Sequence, residues 1–297
     1  LELPEVILDH LEGYRKSPQV RIGNAATKHL QLDIYGELMD SMYLFSKYGT
    51  PISFDNWLVI RKMVNYVCNN WMLPDMSIWE VRGKKEQFLY SKIMCWVAVD
   101  RGLRFIEKRG LPCPERDKWL KTRDEIYFTI MERGYSKKHG CFLQTLDSHD
   151  KPILDASVLI MPLVFFISPG DNRLISTLKR IIKPPSKGGL LANNLMYRYD
   201  RTEYNDGVDG TNEGSFSMCT FWLIEALCRS GKYHSGLLRR SVLMFDQMIT
   251  YGNHVQLFSE EVASTGEMLG NFPQAFTHIA LVSAAFNLDR DLKLKHI

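Results

Sequence analysis

Two glutamates in this sequence lie where helical segments give way to loops, and their surroundings differ. Glu80 lies in the stretch WEVRG at residues 79–83, directly after Trp79, and Glu260 lies in FSEE at residues 258–261. Two carboxyl groups about 6.5 to 9.5 Å apart can hydrolyse a glycosidic bond with inversion, one acting as acid and the other as base. The apolar ring of Trp79 would raise the pKa of Glu80 toward the acid role, and the polar neighbours of Glu260 suit a base.

Each glutamate can also be an ordinary solvated loop residue. The chain has 34 acidic residues, so it supplies many such pairs. Local sequence alone therefore favours the simpler interpretation.

Arg198 lies between Tyr197 and Tyr199. Its guanidinium can donate a planar fork of hydrogen bonds to sugar hydroxyls while the rings stack on pyranose faces. It can equally be an exposed loop arginine stacked on a neighbour. Local sequence gives these two interpretations similar weight.

Three further polar residues lie in or beside apolar helical stretches. Gln31 and Asp33 fall on a predicted helix that is largely apolar, where a buried carboxylate needs a partner. Asp33 is therefore either a member of an internal ion pair or a ligand that faces a pocket. Glu213 precedes a predicted helix start at Ser215, where the helix dipole stabilises a negative charge, and structural capping alone would explain it.

The sequence contains no motif for a metal or for an activated nucleophile. The eight histidines form no H-x-x-x-H pattern and no His/Cys cluster, so we expect no metal site. There is no G-x-S-x-G elbow and no phosphate-binding glycine loop. Acid/base chemistry by two glutamates needs no cofactor, and we expect none.

Helical periodicity dominates the elements that must position these residues. Apolar residues recur at helical spacing and predict an all-α chain of about nine helices in antiparallel succession. Trp57, Trp71, Trp96 and Trp222 recur at this spacing and are predicted to be core residues. The predicted helices cover 25–47, 56–71, 87–108, 115–133, 155–168 and 171–182, then one capped by Ser215, one over 235–250 and a last one capped by Asn271.

Two segments lack helical periodicity. Residues 140–144 are predicted to form a short strand beside a turn. The long segment 183–214 is rich in glycine and proline, but it also contains Arg198, Glu213 and several tyrosines. This aromatic and charged content predicts an ordered, functional loop.

Composition argues against several classes of partner. With 45% apolar residues over 297 positions the chain can bury a large core, and 37 basic against 34 acidic residues give a formal charge of +3. This balance gives no reason to expect nucleic acid or an anionic membrane as a partner. The longest apolar run, residues 158–167, is too short to cross a bilayer and contains Pro162.

The six cysteines form no C-x-x-C pair, and four of them lie in apolar helical stretches. We expect buried free thiols and hence a reducing, cytoplasmic compartment. The sequence has no signal peptide and starts at Leu1 rather than at a methionine, so we expect an amino-terminal portion to precede it.

Five stretches of the sequence, in order, resemble glycoside hydrolase family fifteen, the glucoamylase and trehalase-like family. The resemblance extends over nearly the whole chain. Any one stretch is a weak match, whereas the set in the family's order is a strong one. The stretches are QLDIYGE at 31–37, IWEVRG at 78–83, YSKIMCW at 90–96, EGSF at 213–216, and LFSEE at 257–261 followed by LGNFPQAFTH at 269–278.

The resemblance implies an (α/α)6 barrel, a toroid of six helical hairpins with alternating inner and outer helices and a pocket at one end. It implies that Glu80 is the general acid and Glu260 the general base, with Glu261 either binding substrate or competing for the base role. It further implies that Arg198 holds the non-reducing glucose. The other residues that it places around the pocket are Trp79, Gln31, Asp33 and Glu213.

The complete toroid has twelve helices, whereas this chain predicts about nine. The family's early arginine-aspartate motif and the β-rich amino-terminal domain of its prokaryotic members are also absent from these 297 residues. We therefore expect residues 1–297 to form a single catalytic domain of this type that is truncated at its amino-terminal end.

The activity that the resemblance implies is inverting, exo-acting hydrolysis of trehalose or of the non-reducing ends of α-glucans, with release of β-glucose. The expected partner is a disaccharide or oligosaccharide. A non-catalytic carbohydrate-binding or regulatory protein is the alternative, and a helical-toroid lyase or epimerase with a His or Tyr base is a weaker one. The sequence leaves open the choice among trehalose, maltose and longer glucans, and also the oligomeric state.

Overall fold

The computed structural model describes residues 3–13, 16, 20–81, 83–146, 148, 152–200 and 213–293. Within these ranges nine α-helices follow one another, which confirms the predicted all-α architecture. They are α1 (Asp33–Tyr48), α2 (Phe54–Asn70), α3 (Leu89–Arg109), α4 (Arg116–Arg133), α5 (Ile160–Leu163), α6 (Asn172–Ile181), α7 (Ser217–Ser230), α8 (Ser235–Ile249) and α9 (Ala275–Lys293).

The helices alternate between an inner and an outer layer. The odd-numbered helices line one common groove, and the even-numbered helices pack behind them. In α3 and α7 most residues are buried, whereas α4 and α8 bury a single stripe. The backbones of α1 and α3 approach closely at Gly36, where a Cβ would collide with the carbonyl oxygen of Met94. This alternation is the layering expected of a helical toroid.

All strands in the described residues are two residues long and pair in antiparallel fashion. The strand β4 confirms the predicted strand near residue 141, and β7, β8 and β9 form a three-stranded sheet at the start of α7. The pairs are β1 (Val6–Ile7) with β2 (Arg21–Ile22), β3 (Tyr135–Ser136) with β4 (Cys141–Phe142), β5 (Leu191–Ala192) with β6 (Leu195–Met196), and β8 (Glu261–Val262) with both β7 (Ser215–Phe216) and β9 (Met268–Leu269).

Most of the predicted core tryptophans are in the core. Trp57, Trp71 and Trp96 are buried, as predicted. Trp222 is half-buried, because it packs on the core with one part and lines the common groove with another. All six cysteines are free thiols, five of them buried, which also agrees with the prediction.

Four predicted helix boundaries were wrong: two where the chain forms a 3-10 turn, and two where a contact distant in sequence takes the place of a helix cap. The helix expected over 25–47 starts later than predicted: Ala25–Lys28 form a short 3-10 turn, and α1 begins only at Asp33. The helix expected over 155–168 is a 3-10 turn followed by the single turn α5, and the chain leaves it at Phe165, whose φ of 63° lies in the left-handed region.

The other two errors lie beside the candidate site. Ser215 does not cap a helix but pairs with Val262 in the three-stranded sheet, and α7 begins after it. Asn271 does not cap α9, which begins at Ala275, because its amide groups bind Glu260 instead. Among the described residues no helix has the length and apolar composition needed to cross a membrane.

Candidate active site

The turn that carries Glu80 separates two neighbouring side chains into different environments. Glu80 has a φ of 52°, a left-handed conformation that residues other than glycine rarely adopt and that often marks functional turns. Its carboxylate is exposed and makes no hydrogen bond or ion pair with the described part of the chain. Trp79 is buried, and its ring faces the interior. Arg82, which follows in the same motif, lies outside the described residues.

A buried carboxylate at the predicted start of the helix over 155–168 anchors Trp79. The indole Nε1–H donates to both carboxylate oxygens of Asp155, at 3.0 Å each. Asp155 also accepts from the Gln144 side chain at 2.9 Å and from the backbone N–H of Ser157 at 2.7 Å. Burial raises the pKa of this carboxyl, while these hydrogen bonds oppose the rise. Asp155 therefore fixes the ring that precedes Glu80.

Arg198 lies within an aromatic cluster and is buried, so it is not the exposed loop residue of the simpler interpretation. Its guanidinium carbon is 4.7 Å from the ring centroid of Phe216, 4.8 Å from that of Tyr199 and 5.7 Å from that of Trp79. It forms a buried ion pair with Glu213. Stacking on several rings and a carboxylate partner together hold the guanidinium in place.

The aromatic cluster joins the two segments that carry Glu80 and Glu260. The ring of Trp79 lies 6.0 Å from that of Phe216, centroid to centroid. Phe216 pairs in register with Glu261, and the next backbone N–H, of Ser217, donates to the carbonyl oxygen of Glu260 at 2.9 Å. The two acidic stretches, far apart in sequence, thus meet at one cluster.

Glu260 is half-exposed, and the residues after β9 hold its carboxylate. Its Oε2 accepts from the backbone N–H of Asn271 at 3.0 Å and from the Asn271 side chain at 2.9 Å. Its Oε1 makes no hydrogen bond within the described part of the chain. Gly270 has a φ of 69°, and a Cβ there would lie 2.8 Å from Oε2. Glycine is therefore required beside this glutamate for two reasons: the backbone has a positive φ, and a Cβ would collide with the carboxylate.

Glu261 faces a more enclosed environment than Glu260. Its Oε2 accepts from the backbone N–H of Gly214 at 2.8 Å. Burial raises the pKa of Glu261 to about 7, with the charges of Glu213 and Glu260 acting in the same direction, while the Gly214 hydrogen bond and the Arg198 charge lower it. This carboxyl is therefore about half protonated at neutral pH.

Gln31 and Asp33 lie next to the Glu80 turn. Gln31 precedes α1 instead of lying on it, and its side-chain Nε2 donates to the carbonyl oxygen of Ser77 at 3.0 Å. Asp33 is the first residue of α1 and is buried without a cation partner among the described residues. Burial and the negative charges of Glu37 and Asp75 raise the pKa of Asp33 to about 8, so it is not the ion-pair member considered from the sequence.

The inner helices begin at this end of the molecule. Asp33 and Ser217 are the first residues of α1 and α7, and the backbone N–H of Gln274, just before α9, donates to the carbonyl oxygen of Phe258. Helix N-termini carry a partial positive charge, so they favour anionic groups and electron-rich oxygens nearby. No group of three His, Cys, Asp or Glu side chains is arranged for a metal in the part of the chain that the structure describes.

Comparisons with known proteins agree with this architecture. A trehalase from Mycobacterium tuberculosis is 37% identical over 289 residues, which are 97% of this chain and 40% of that protein. A trehalase from Thermoplasma acidophilum is 36% identical over 279 residues, 94% of this chain and 45% of that protein. The chain thus spans less than half the length of the curated relatives that it matches.

Solved structures show the fold. A glucoamylase from Saccharomycopsis fibuligera superposes with a TM-score of 0.69 at 12% identity, covering 88% of this chain and 70% of that one. A family 15 glucoamylase from Hypocrea jecorina gives a TM-score of 0.65 at 13% identity, covering 88% and 52%. The helices are therefore those of the (α/α)6 toroid, as expected. The family model for glycosyl hydrolases family 15 matches residues 2–286, and the chain belongs to that family.

Proposed function

We propose that this chain forms the catalytic part of an inverting, exo-acting α-glucosidase that hydrolyses trehalose or the non-reducing end of an α-glucan. The observation that carries the proposal is the meeting of the Glu80 turn and the Glu260 segment at the cluster of Trp79, Arg198 and Phe216. Membership of glycosyl hydrolases family 15 and the trehalase names of the relatives support it.

Glu80 acts as the general acid. Its carboxyl protonates the glycosidic oxygen as the bond from that oxygen to the anomeric carbon breaks. The left-handed turn presents it to solvent beside a ring that Asp155 holds rigidly, which suits an acid that must reach a substrate entering from outside.

Glu260 acts as the general base in preference to Glu261. A base must be ionised, and the pKa of Glu261, about 7, leaves that residue largely protonated in mildly acidic solution. The Oε1 of Glu260 has no protein donor among the described residues, so it can accept a proton from water. That water attacks the anomeric carbon from the face opposite the leaving group, which converts an α-glucoside into β-glucose.

The remaining residues bind the terminal sugar. Arg198 donates hydrogen bonds to hydroxyls, and its ion pair with Glu213 and its aromatic neighbours keep the fork oriented. Asp33, with a pKa of about 8, is protonated at neutral pH and can both donate and accept a hydrogen bond. Gln31 and Glu261 supply further polar groups around the sugar, and Trp79 supplies an apolar surface.

Trehalose is the favoured substrate, because the two relatives described above are both named trehalases. The test is made on the full-length protein with Glu80→Gln and Glu260→Gln, and with Glu267→Gln as control, since Glu267 is exposed in the same hairpin as Glu260. Loss of a general acid or base should lower kcat about 10²- to 10⁴-fold while trehalose still binds.

Undiminished turnover by Glu80→Gln would remove that residue from the acid role. Trehalose binding by the unmodified full-length protein without any turnover would replace hydrolysis with a carbohydrate-binding function.

A further inference from the structure

The segment that carries Glu260 rests on two of the inner helices. The ring of Phe258, two residues before Glu260, is buried and packs edge-on against Phe221 of α7, with the ring centroids 5.8 Å apart. The hydroxyl of Thr277 on α9 donates to the carbonyl oxygen of Ser259 at 3.2 Å. The beginning of α9 therefore helps to place the backbone that leads to Glu260.

Both backbone polar groups of Phe258 are bound at the beginning of α9. The carbonyl oxygen accepts from the backbone N–H of Gln274 at 3.1 Å. The N–H donates to Nε2 of His278 at 3.2 Å, and the imidazole also lies against the Phe258 ring, with 5.8 Å between the centroids. Because Phe258 is buried, removing Nε2 would leave this N–H without an acceptor, which is unfavourable.

The contacts of His278 fix one protonation form of its imidazole. Nε2 accepts a hydrogen bond, so it carries a lone pair and no proton. Nδ1 lies 2.7 Å from the carbonyl oxygen of Gln274, which can only accept, so the proton is on Nδ1. The imidazole is therefore neutral and uses both nitrogens, Nδ1 toward α9 and Nε2 toward the Glu260 segment.

His278 is one step removed from the Glu260 carboxylate. That carboxylate accepts from Asn271, and the N–H of Glu260 donates to the carbonyl oxygen of Asn271 at 2.9 Å. Among the described residues, the hydrogen bonds of His278 go to Phe258 and Gln274 instead. His278 thus reaches Glu260 through the backbone of Phe258.

We propose that His278 is a positioning residue, which sets the direction of the Glu260 carboxylate by accepting the N–H of Phe258. The inference rests on the proposed role of Glu260 as general base. A base must lie within hydrogen-bond distance of the water that it activates, and a misplacement of about 1 Å can lower the rate about 10²-fold. The hydrogen bond to His278 restrains the backbone against such a displacement.

Two substitutions separate the two nitrogens of His278. Glutamine places its amide oxygen the same number of bonds from Cα as Nε2, so His278→Gln keeps an acceptor for the Phe258 N–H. Asparagine places its NH₂ group at the position of Nδ1 but is too short to reach Phe258, so His278→Asn keeps only the contact within α9. His254→Asn, at an exposed histidine ahead of the same segment, is the control for loss of an imidazole.

The kinetic arm measures kcat and KM for trehalose with the full-length protein, after a cooperative urea transition has shown that each variant is folded. His278→Asn should lower kcat about tenfold or more and change KM less than about twofold, because displacement of a base impairs the chemical step and not binding. His278→Gln should keep kcat within about threefold of the unmodified value, and His254→Asn should leave it unchanged. A loss confined to KM in His278→Asn would overturn the positioning role.

Hydrogen–deuterium exchange tests the contact independently of catalysis. The Phe258 amide should exchange about tenfold faster or more in His278→Asn than in the unmodified protein, and His278→Gln should retain the protection. Unchanged exchange in His278→Asn would overturn the inference.

A second kinetic variant removes the donor and leaves His278 in place. Phe258 is replaced by its α-hydroxy acid analogue through nonsense suppression, so that an ester oxygen takes the place of the N–H. It should show the same loss of kcat as His278→Asn, and an undiminished kcat would overturn the inference.

Failure of the proposed function gives a different pattern of results. Absence of trehalose turnover by the unmodified protein, or full turnover by Glu260→Gln, would overturn the role of Glu260 and the inference with it. Equal kcat values for His278→Gln and His278→Asn, in a protein that Glu260→Gln inactivates, would overturn the role of His278 alone.

Discussion

Asp155→Ala is expected to destabilise the fold strongly, because one side chain satisfies three buried donors. These are the indole N–H of Trp79, the amide of Gln144 and the backbone N–H of Ser157. A buried donor left unpaired costs about 1 to 3 kcal/mol. Removing a buried carboxyl also removes its own desolvation cost, which offsets part of the loss. We therefore expect a decrease in the free energy of unfolding of about 3 to 5 kcal/mol, a large fraction of the typical 5 to 15 kcal/mol.

The assay is urea unfolding followed by tryptophan fluorescence, with the free energy taken from the transition midpoint at unchanged slope. Asp246→Ala on α8 is the control, since Asp246 is exposed and should change the free energy by less than about 0.5 kcal/mol. Asp155→Asn keeps an acceptor oxygen but also brings an NH₂ group toward other donors. Its loss of unfolding free energy should therefore lie between those of Asp155→Ala and Asp246→Ala. A loss below about 1 kcal/mol in Asp155→Ala would refute the reasoning that this residue anchors Trp79.

Three further predictions test the site. Gly270→Ala should lower kcat about tenfold or more, which is a rise of about 1.4 kcal/mol in the activation barrier, because a Cβ would displace Glu260. Gly236→Ala, with open space at its Cβ, should leave kcat unchanged, and equal kcat values for the two variants would contradict the contact. The pKa of Asp33 is about 8 when folded against 3.8 as its ordinary value, so the folded state holds the proton more tightly. Its contribution is neutral below pH 4, and the unfolding free energy then falls by up to about 1.4 kcal/mol per pH unit until pH 8. Asp33→Asn should therefore reduce the slope of the unfolding free energy against pH in urea titrations, and a slope that this substitution leaves unchanged would contradict the prediction. Arg198→Lys should raise KM for trehalose about tenfold or more, since an ammonium lacks the planar fork, and an unchanged KM would remove Arg198 from the sugar site.

The helical architecture was predictable from the sequence because its signal is local. Buried α3 and α7 carry apolar residues at helical spacing, and α3, predicted over 87–108, is found at Leu89–Arg109. The two errors beside the candidate site occur where a contact distant in sequence outweighs local preference. Asn271 is a good helix cap by type, but its amide groups bind the carboxylate of Glu260, eleven positions away in sequence.

The geometry of the candidate site was predictable only in part, for the same reason. Glu80 and Glu260 were predicted as site residues from two of the five stretches, and Arg198 from its position between two tyrosines. The hydrogen bond between Asp155 and Trp79 joins residues 76 positions apart, and no local pattern encodes such a pairing. An aspartate directly before an apolar run was the available signal, and it indicated only a cap.

Cleavage of an α-glucoside with inversion by Glu80 and Glu260 is the central proposal. The direct measurement is proton NMR of the first glucose that the full-length protein releases from trehalose, recorded before mutarotation mixes the anomers. Trehalose yields one glucose from the leaving group, which keeps its α-configuration, and one from the attacked carbon, whose configuration reports the mechanism. Inversion predicts equal initial amounts of α- and β-glucose. Initial release of α-glucose alone would contradict the proposal.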